Sequence, residues 1–299
     1  MNRAVRLGAL RAELARMGVQ GFLIPRADEH LGEYVPRSAE RLAWLTGFTG
    51  SAGLAIVLPR QAAVFSDGRY TLQLRNQIDV AHWEPRHITE EPPAEWLTAH
   101  GEGLVIGYDP WLHSEPALDR LRRPGLTFRA LEANPIDAIW PDRPRAPEAP
   151  ARAHPLSYAG KPSPKKRAEA AAELRAANED AVVLADAHSI AWLLNIRGGD
   201  LDHTPLALGF ALLFADGAVS LFMDPAKLDH DTRAYLGNAV AVAPRAAMPA
   251  ALRSLKGKRV RIDREATPAW FTDWLRDAGA EIRAGEDPCR IPRACKNTV

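Results

Sequence analysis

Along the first half of the chain the spacing of apolar residues changes several times, and each change marks an element. Between Arg3 and Met17, Val5, Leu7, Leu10, Leu14 and Met17 share one helical face, and Gly18 stops that helix. Gly21–Ile24 is a short apolar run that predicts a buried strand. Residues 25–36 form a polar loop carrying Asp28, His30, Glu33 and Tyr34, and Arg41–Thr46 is helical again. The half is organised around Trp44–Tyr70, WLTGFTGSAGLAIVLPRQAAVFSDGRY. Its glycines predict a turn, and Leu54–Leu58 and Ala62–Phe65 predict two strands joined by a polar turn. Asp67, Gly68, Arg69 and Tyr70 leave the end of the second strand. Gly68 suggests a backbone shape that most residues resist, so that an acid, a base and a phenol project from a strand end, where sites usually lie. A helix follows at Thr71–Gln77, then an extended segment at 83–89 and a helix ending near His100. Leu104–Gly107 is a buried strand that leads to Asp109. Ser114 caps a helix through Leu121, and Leu126–Leu131 is a strand.

From Pro141 to Pro164 the chain holds seven prolines and little apolar periodicity, which predicts a linker. Beyond it the order of elements repeats. The helix at Pro164–Asn178 matches Arg3–Met17, and the strand at Ala181–Ala185 matches Gly21–Ile24. Asp186 and His188 echo Asp28 and His30. The pair Gly209–Ala215 and Ala218–Met223 leads to Asp224 as the first pair leads to Asp67. Val260–Asp263 echoes Val105–Asp109, and Asp287-Pro288 echoes Asn134-Pro135. The fold class is therefore α/β, two like domains with mixed sheets flanked by helices, at 1–145 and 161–299 with a linker at 146–160. The period is too long for a solenoid and reads as duplication. The copies differ at Asn195–Pro205, NIRGGDLDHTP, which adds Arg197, Asp200, Asp202 and His203 to the second. Charges without counterparts in the first copy suggest a functional loop that faces another domain.

Composition narrows the possible chemistry. A net charge of +1 favours neither nucleic acid nor an acidic membrane, and no apolar run is long enough to span a bilayer. Lys165-Lys166-Arg167 is the only tight basic cluster and reads as a solvated helix start. Cys289 and Cys295 lack metal-site spacing and point to a reducing compartment, with the cytoplasm as default. HExxH is absent, and Ser51 precedes a strand, whereas the serine of a nucleophile elbow follows one. Asp67, Asp109, Asp224 and Asp263 all end strands. Clustered strand-end carboxylates can hold Mg²⁺, but one pair in each domain favours structural use. No metal site is expected from these residues.

The run GFTGSAG followed by DGRY resembles the N-terminal region of the large, cytosolic, three-domain type of Xaa-Pro aminopeptidase. So do IPRADEHLGEY, NPIDAIWPDRP, IAWLLNIRGGDLDHTP and the closing IPRACKN. The resemblance implies two creatinase N-terminal-like domains that wall the cleft of a catalytic pita-bread domain. That third domain holds two divalent metals, manganese first among candidates, through two aspartates, a histidine and two glutamates. Its stretches DSGxQY and GTTDxTR do not occur here, so the chain is expected to be the N-terminal part of a longer parent and inactive alone. The implied partners are peptides with proline in second place and the chain's own catalytic domain, in a homodimeric parent. The resemblance also places Arg69 at the bound peptide, with Asp67, Tyr70, Arg197, Asp200 and His203 as candidate cleft or interdomain contacts. A surface ion pair between Arg69 and Asp67 is the plainer reading of those two residues. The alternative for the whole chain is a stand-alone binding or regulatory module of the same domain type.

Overall fold

A computed structural model describes residues 3–299 and divides the chain into two compact units at Ala146/Pro147. The first contains α1 (Arg3–Arg16), β1 (Gly21–Pro25), α2 (Arg41–Thr46), β2 (Leu54–Val57), β3 (Ala62–Ser66) and α3 (Thr71–Gln77). It continues with β4 (Glu84–His87), α4 (Pro93–His100), β5 (Val105–Tyr108), α5 (Glu115–Leu121), β6 (Thr127–Ala130) and α6 (Pro135–Ile139). Its sheet has the order β4-β3-β2-β1-β5-β6, with β2 antiparallel to both neighbours and the remaining pairs parallel. The register sets Phe22 opposite Val57, and both are fully buried. Leu7, Leu10 and Leu14 of α1 pack over this face with Phe48 and Leu45, and Trp44 stacks on Trp140 at 5.1 Å.

The second unit opens with β7 (Arg152–Ala153) and α7 (Leu156–Ala159). Then come α8 (Ser163–Ala176), β8 (Ala181–Leu184), α9 (Ala187–Leu194), β9 (Ile196–Arg197), β10 (Phe210–Phe214) and β11 (Val219–Phe222). It ends with α10 (His230–Leu236), β12 (Val240–Ala243), α11 (Met248–Arg253), β13 (Arg259–Ile262), α12 (Ala269–Ala278), β14 (Glu281–Ala284) and α13 (Arg290–Ala294). Its sheet order, β12-β11-β10-β8-β13-β14, is that of the first unit strand for strand. The duplication extends to single bonds. Asp109 at the end of β5 accepts from Asn134 Nδ2 at 2.9 Å, and Asp263 at the end of β13 accepts from the Asp287 backbone N–H at 3.2 Å. Each aspartate ties the loop after its strand to the chain leaving the last strand of the sheet.

Two sequence expectations give way to the structure. Only part of the proline-rich stretch is linker. The Ala151 N–H donates to Lys227 O at 2.8 Å, and β7 pairs with β9, so residues from Ala149 onward are bound into the second unit. Limited proteolysis is therefore expected to cut first within 142–148 and to spare 151–159 until the unit unfolds. Early cleavage at Arg152 would show that β7 is not held in solution. Second, Lys165-Lys166-Arg167 is not a solvated helix start. Lys165 is exposed, but Lys166 and Arg167 are buried. Lys166 Nζ donates to Trp192 O at 2.9 Å and Asn195 Oδ1 at 2.6 Å, and Arg167 donates to Gly217 O at 2.6 Å. Burial brings the Lys166 pKa down to about 8. The two cations join the start of α8 to α9 and to the β10–β11 turn.

Candidate functional site at the end of β3

Every residue of β3 is buried, so the chain emerges at Asp67 in a fixed place. Asp67 Oδ1 accepts the Arg69 N–H at 3.0 Å, and the Tyr70 N–H closes onto Asp67 O at 3.0 Å. This Asx turn, and not glycine freedom, shapes the loop. Gly68 is outside the left-handed region, and a Cβ placed on it would meet His87 at an ordinary 3.5 Å. At Gly50 and Gly53 a Cβ would strike the Phe48 ring at 2.3 and 3.0 Å. They let the GFTGSAG turn close around that buried ring. Tyr70 then lies edge-on to Phe48, with centroids 5.9 Å apart, and its hydroxyl is 2.9 Å from Ser51 Oγ. The glycine turn and the β3 exit are thereby joined into one surface.

On that surface Arg69 makes a fork with Asp67, Nε to Oδ1 at 3.0 Å and Nη2 to Oδ2 at 2.7 Å. Its guanidinium also lies 5.1 Å from the Tyr70 ring centroid. The Arg69 hydrogen bonds hold the Asp67 carboxyl below the usual carboxylate range, and Asp67 raises Arg69 in return. The Ser51 hydroxyl holds the Tyr70 phenol below its ordinary value. The Arg69 side chain is 63% exposed, and no hydrogen bond from the described residues uses its Nη1. The ion pair with Asp67 is thus real, and it leaves one edge of the guanidinium open to solvent.

The candidates on the inserted loop of the second unit do not form a cluster. Asp200 is wholly buried. It accepts from the Ala149 N–H at 3.2 Å and the Leu208 N–H at 2.6 Å, and it pairs with buried Lys227. Arg197 is half-buried and donates to the Ala191 and Ile196 carbonyls at 2.9 and 2.8 Å. His203 is exposed on a turn with a left-handed φ of 60°. Asp200 and Arg197 have partners within their own unit, so the expectation of unpartnered charges turned toward another domain fails for them. Lys227 carried no sequence signal, because its partner lies on the far side of the β10–β11 pair.

The other strand-end acids are engaged by their own backbones. Asp224 accepts from the Ala226 N–H at 2.8 Å, the bond that Asp67 makes to Arg69, with alanine where the first unit has arginine. Asp28 is buried and accepts from the His30 and Gly32 N–H groups, while its counterpart Asp186 caps α9. Among the described residues no three His, Cys, Asp or Glu side chains are placed to hold a metal ion. The donor sets among the described residues do not fit a dinuclear centre. No described helix is long and apolar enough to cross a membrane.

Family models for the creatinase/prolidase N-terminal domain match residues 6–124 and, separately, residues 142–299. The chain belongs to the creatinase/prolidase N-terminal domain family. Similar curated proteins include the probable Xaa-Pro aminopeptidase P of Talaromyces stipitatus, 30% identical over the whole chain and 48% of that protein. The probable Xaa-Pro aminopeptidase P of Aspergillus niger is also 30% identical, over the whole chain and 51% of that protein. Among solved structures, the X-prolyl aminopeptidase of Caenorhabditis elegans, described as a cytosolic enzyme with a di-nuclear active site, superposes with a TM-score of 0.90. It is 26% identical, and the match covers all of this chain and 52% of that one. The chain thus spans about half the length of the relatives it matches. The two separate matches to this domain family agree with the strand-for-strand repeat of the two units.

Proposed function

We propose that the chain is the N-terminal, substrate-access and substrate-positioning portion of a metal-dependent aminopeptidase that releases the residue preceding a proline. In this reading hydrolysis belongs to a metal-bearing catalytic domain absent from this sequence, with manganese the first candidate for its two ions. The parent is a cytosolic homodimer acting on short peptides with proline in second place, and this chain alone turns over no such peptide. The observation that carries the reading is the paired Asx turns at Asp67 and Asp224. Both units make the turn, but only the first adds a guanidinium, so the fold does not require Arg69. Asp67 orients the fork and leaves Nη1 available for a peptide carbonyl or carboxylate.

In the full-length enzyme, Arg69→Ala is expected to lower kcat/KM for an Arg-Pro-Pro peptide by roughly ten- to hundredfold, the usual scale for a lost charge-assisted bond. Arg69→Lys should restore little, because a point charge lacks the planar fork. Metal content and melting temperature should match wild type in both variants. An unchanged kcat/KM in a folded, metal-loaded Arg69→Ala enzyme would reduce the residue to a surface ion pair. Turnover by residues 1–299 alone with added Mn²⁺ would remove the need for a separate catalytic domain.

A further inference from the structure

A second side chain stands at the turn after β3. β4 runs parallel to β3 at the sheet edge, and its register sets His87 opposite Ser66, with the Ile88 N–H donating to Ser66 O at 2.9 Å. His87 therefore ends its strand beside the Asp67–Tyr70 turn. Its Nδ1 accepts from the Thr89 and Glu90 N–H groups at 3.3 and 3.2 Å. A ring nitrogen that accepts carries no hydrogen, so the imidazole proton sits on Nε2, which is a donor. The residue is half-buried, yet Nε2 has no acceptor among the described residues and is not sealed from solvent. The imidazole is also near enough to Asp67 to favour its ionised form, a smaller effect than the Arg69 bonds.

Gly68 gains a meaning beside that ring. The Asx turn does not require glycine there, and the residue is exposed. Apart from its chain neighbours, the place of a Gly68 Cβ has one heavy atom within 4 Å, His87 Nε2 at 3.5 Å. Any side chain at 68 would stand against the free N–H, and glycine leaves that approach open. The second unit makes the same turn and differs at all three places. Phe65 pairs with Arg86 and Phe222 with Ala243, and each phenylalanine lies two residues before its aspartate. By that register Pro225 takes the place of Gly68, Ala226 that of Arg69 and Pro244 that of His87. The unit without the guanidinium also lacks the imidazole and the glycine, so the sheet and the turn need none of the three.

We infer that His87 is a further substrate-binding residue, whose Nε2–H donates across the open face of Gly68 to an oxygen of the peptide held at Arg69. The inference rests on the reading of this turn as a peptide surface. The acceptor is a peptide carbonyl or the terminal carboxylate, and the probes are Arg-Pro-Pro and its C-terminal amide. Variants of the full-length, metal-loaded enzyme are compared with wild type by steady-state kinetics, metal content and melting temperature. His87→Asn keeps an acceptor for the Thr89 and Glu90 N–H groups in its Oδ1 but has no atom at the Nε2 position. It should melt like wild type and lose about three- to tenfold in kcat/KM, the usual scale for one hydrogen bond. Gly68→Ala should do the same with the ring intact, because its methyl stands against Nε2. The double variant should lose little more than either single one, since both changes remove the same contact. His87→Gln, which restores a donor at the longer reach, should recover part of the loss. A loss confined to Arg-Pro-Pro identifies the carboxylate, and an equal loss with the amide identifies a carbonyl. Wild-type kcat/KM in a folded His87→Asn enzyme would overturn the inference, as would losses that multiply in the double variant. If His87→Asn does not fold, Gly68→Ala decides alone, and an unchanged kcat/KM there overturns it. Arg69→Ala is measured alongside. If it falls while His87→Asn does not, the peptide surface stands without His87. If His87→Asn falls while Arg69→Ala does not, the Arg69 reading fails, and if neither falls, both fail.

Discussion

Asp200→Ala is expected to destabilise the second unit by about 3–5 kcal/mol, the usual cost of leaving one member of a buried ion pair behind. Three groups depend on that carboxylate. The Lys227 ammonium, 5% exposed, would keep only a long 3.4 Å bond to the Leu208 carbonyl. The Ala149 and Leu208 N–H groups would lose their acceptor altogether. Lys227→Met should cost less, because the carboxylate left behind still accepts two backbone N–H bonds. The double variant should regain part of the loss from Asp200→Ala, since it strands no ammonium. Hydrogen exchange at β10 and β8 reports on this unit separately from the first. A loss below about 1 kcal/mol for Asp200→Ala would mean that water reaches the pair on the timescale of folding. The consequence for the inserted loop is direct. Its carboxylate ties the chain at Ala149, the 200–208 turn and the 225–227 turn to one point.

That anchor shows where sequence reading stops. The strands were legible because each is a short apolar run bounded by turn residues. The duplication was legible because Asp109 with Asn134, and Asp263 with Asp287, recur at matching places; the structure joins each pair, through a side-chain amide in the first unit and a backbone N–H in the second. Charges behaved differently. Lys166, Arg167 and Asp200 look like solvated residues in any window of neighbours, since all but one of their partners lie 26 to 51 residues away in sequence. Burial of a cation depends on which helix crosses above it, and local period carries no trace of that. The linker failed for a related reason. Prolines remove helical periodicity, but they allow a two-residue strand such as β7, which pairs only Arg152 and Ala153 with β9.

The candidate site divides in the same way. Asp67, Arg69 and Tyr70 stood out because a short polar run follows a wholly buried strand. The ion pair that the plainer reading predicted is present, and the unused Nη1 edge is compatible with a second partner. Gly68 misled, because an Asx turn needs an aspartate two residues before the donating N–H and no special backbone angle at the residue between. Outside the site, the buried His113 gave no signal at all. It follows a Trp-Leu pair in a loop, and nothing nearby in sequence shows that the ring turns inward to the β1 backbone.

Acidification is expected to test that ring. The folded-state pKa of His113 is depressed to about 4 by burial, against 6.5 for the exposed residue. Above pH 6.5 the imidazole is neutral in both states and contributes no pH dependence. Below 6.5 the unfolded chain takes up a proton that the folded chain refuses, so stability falls steadily until about pH 4, where the folded ring protonates too. The gap between the two values corresponds to about 3 kcal/mol lost from the first unit across that window. Asp28 and Asp109 act in the opposite sense. Burial raises their folded-state pKa, so each takes up its proton more readily when folded and offsets part of the loss as pH drops. The total slope is therefore a sum, and the His113 part is read as a difference. His113→Gln keeps a side-chain donor for the Leu23 backbone and does not titrate, while both aspartates remain. It should be less stable than wild type at pH 7.5 but lose about 3 kcal/mol less between pH 7.5 and 4, so the two stability curves converge or cross. Parallel curves would show that water solvates the ring and that its proton uptake is the same in both states.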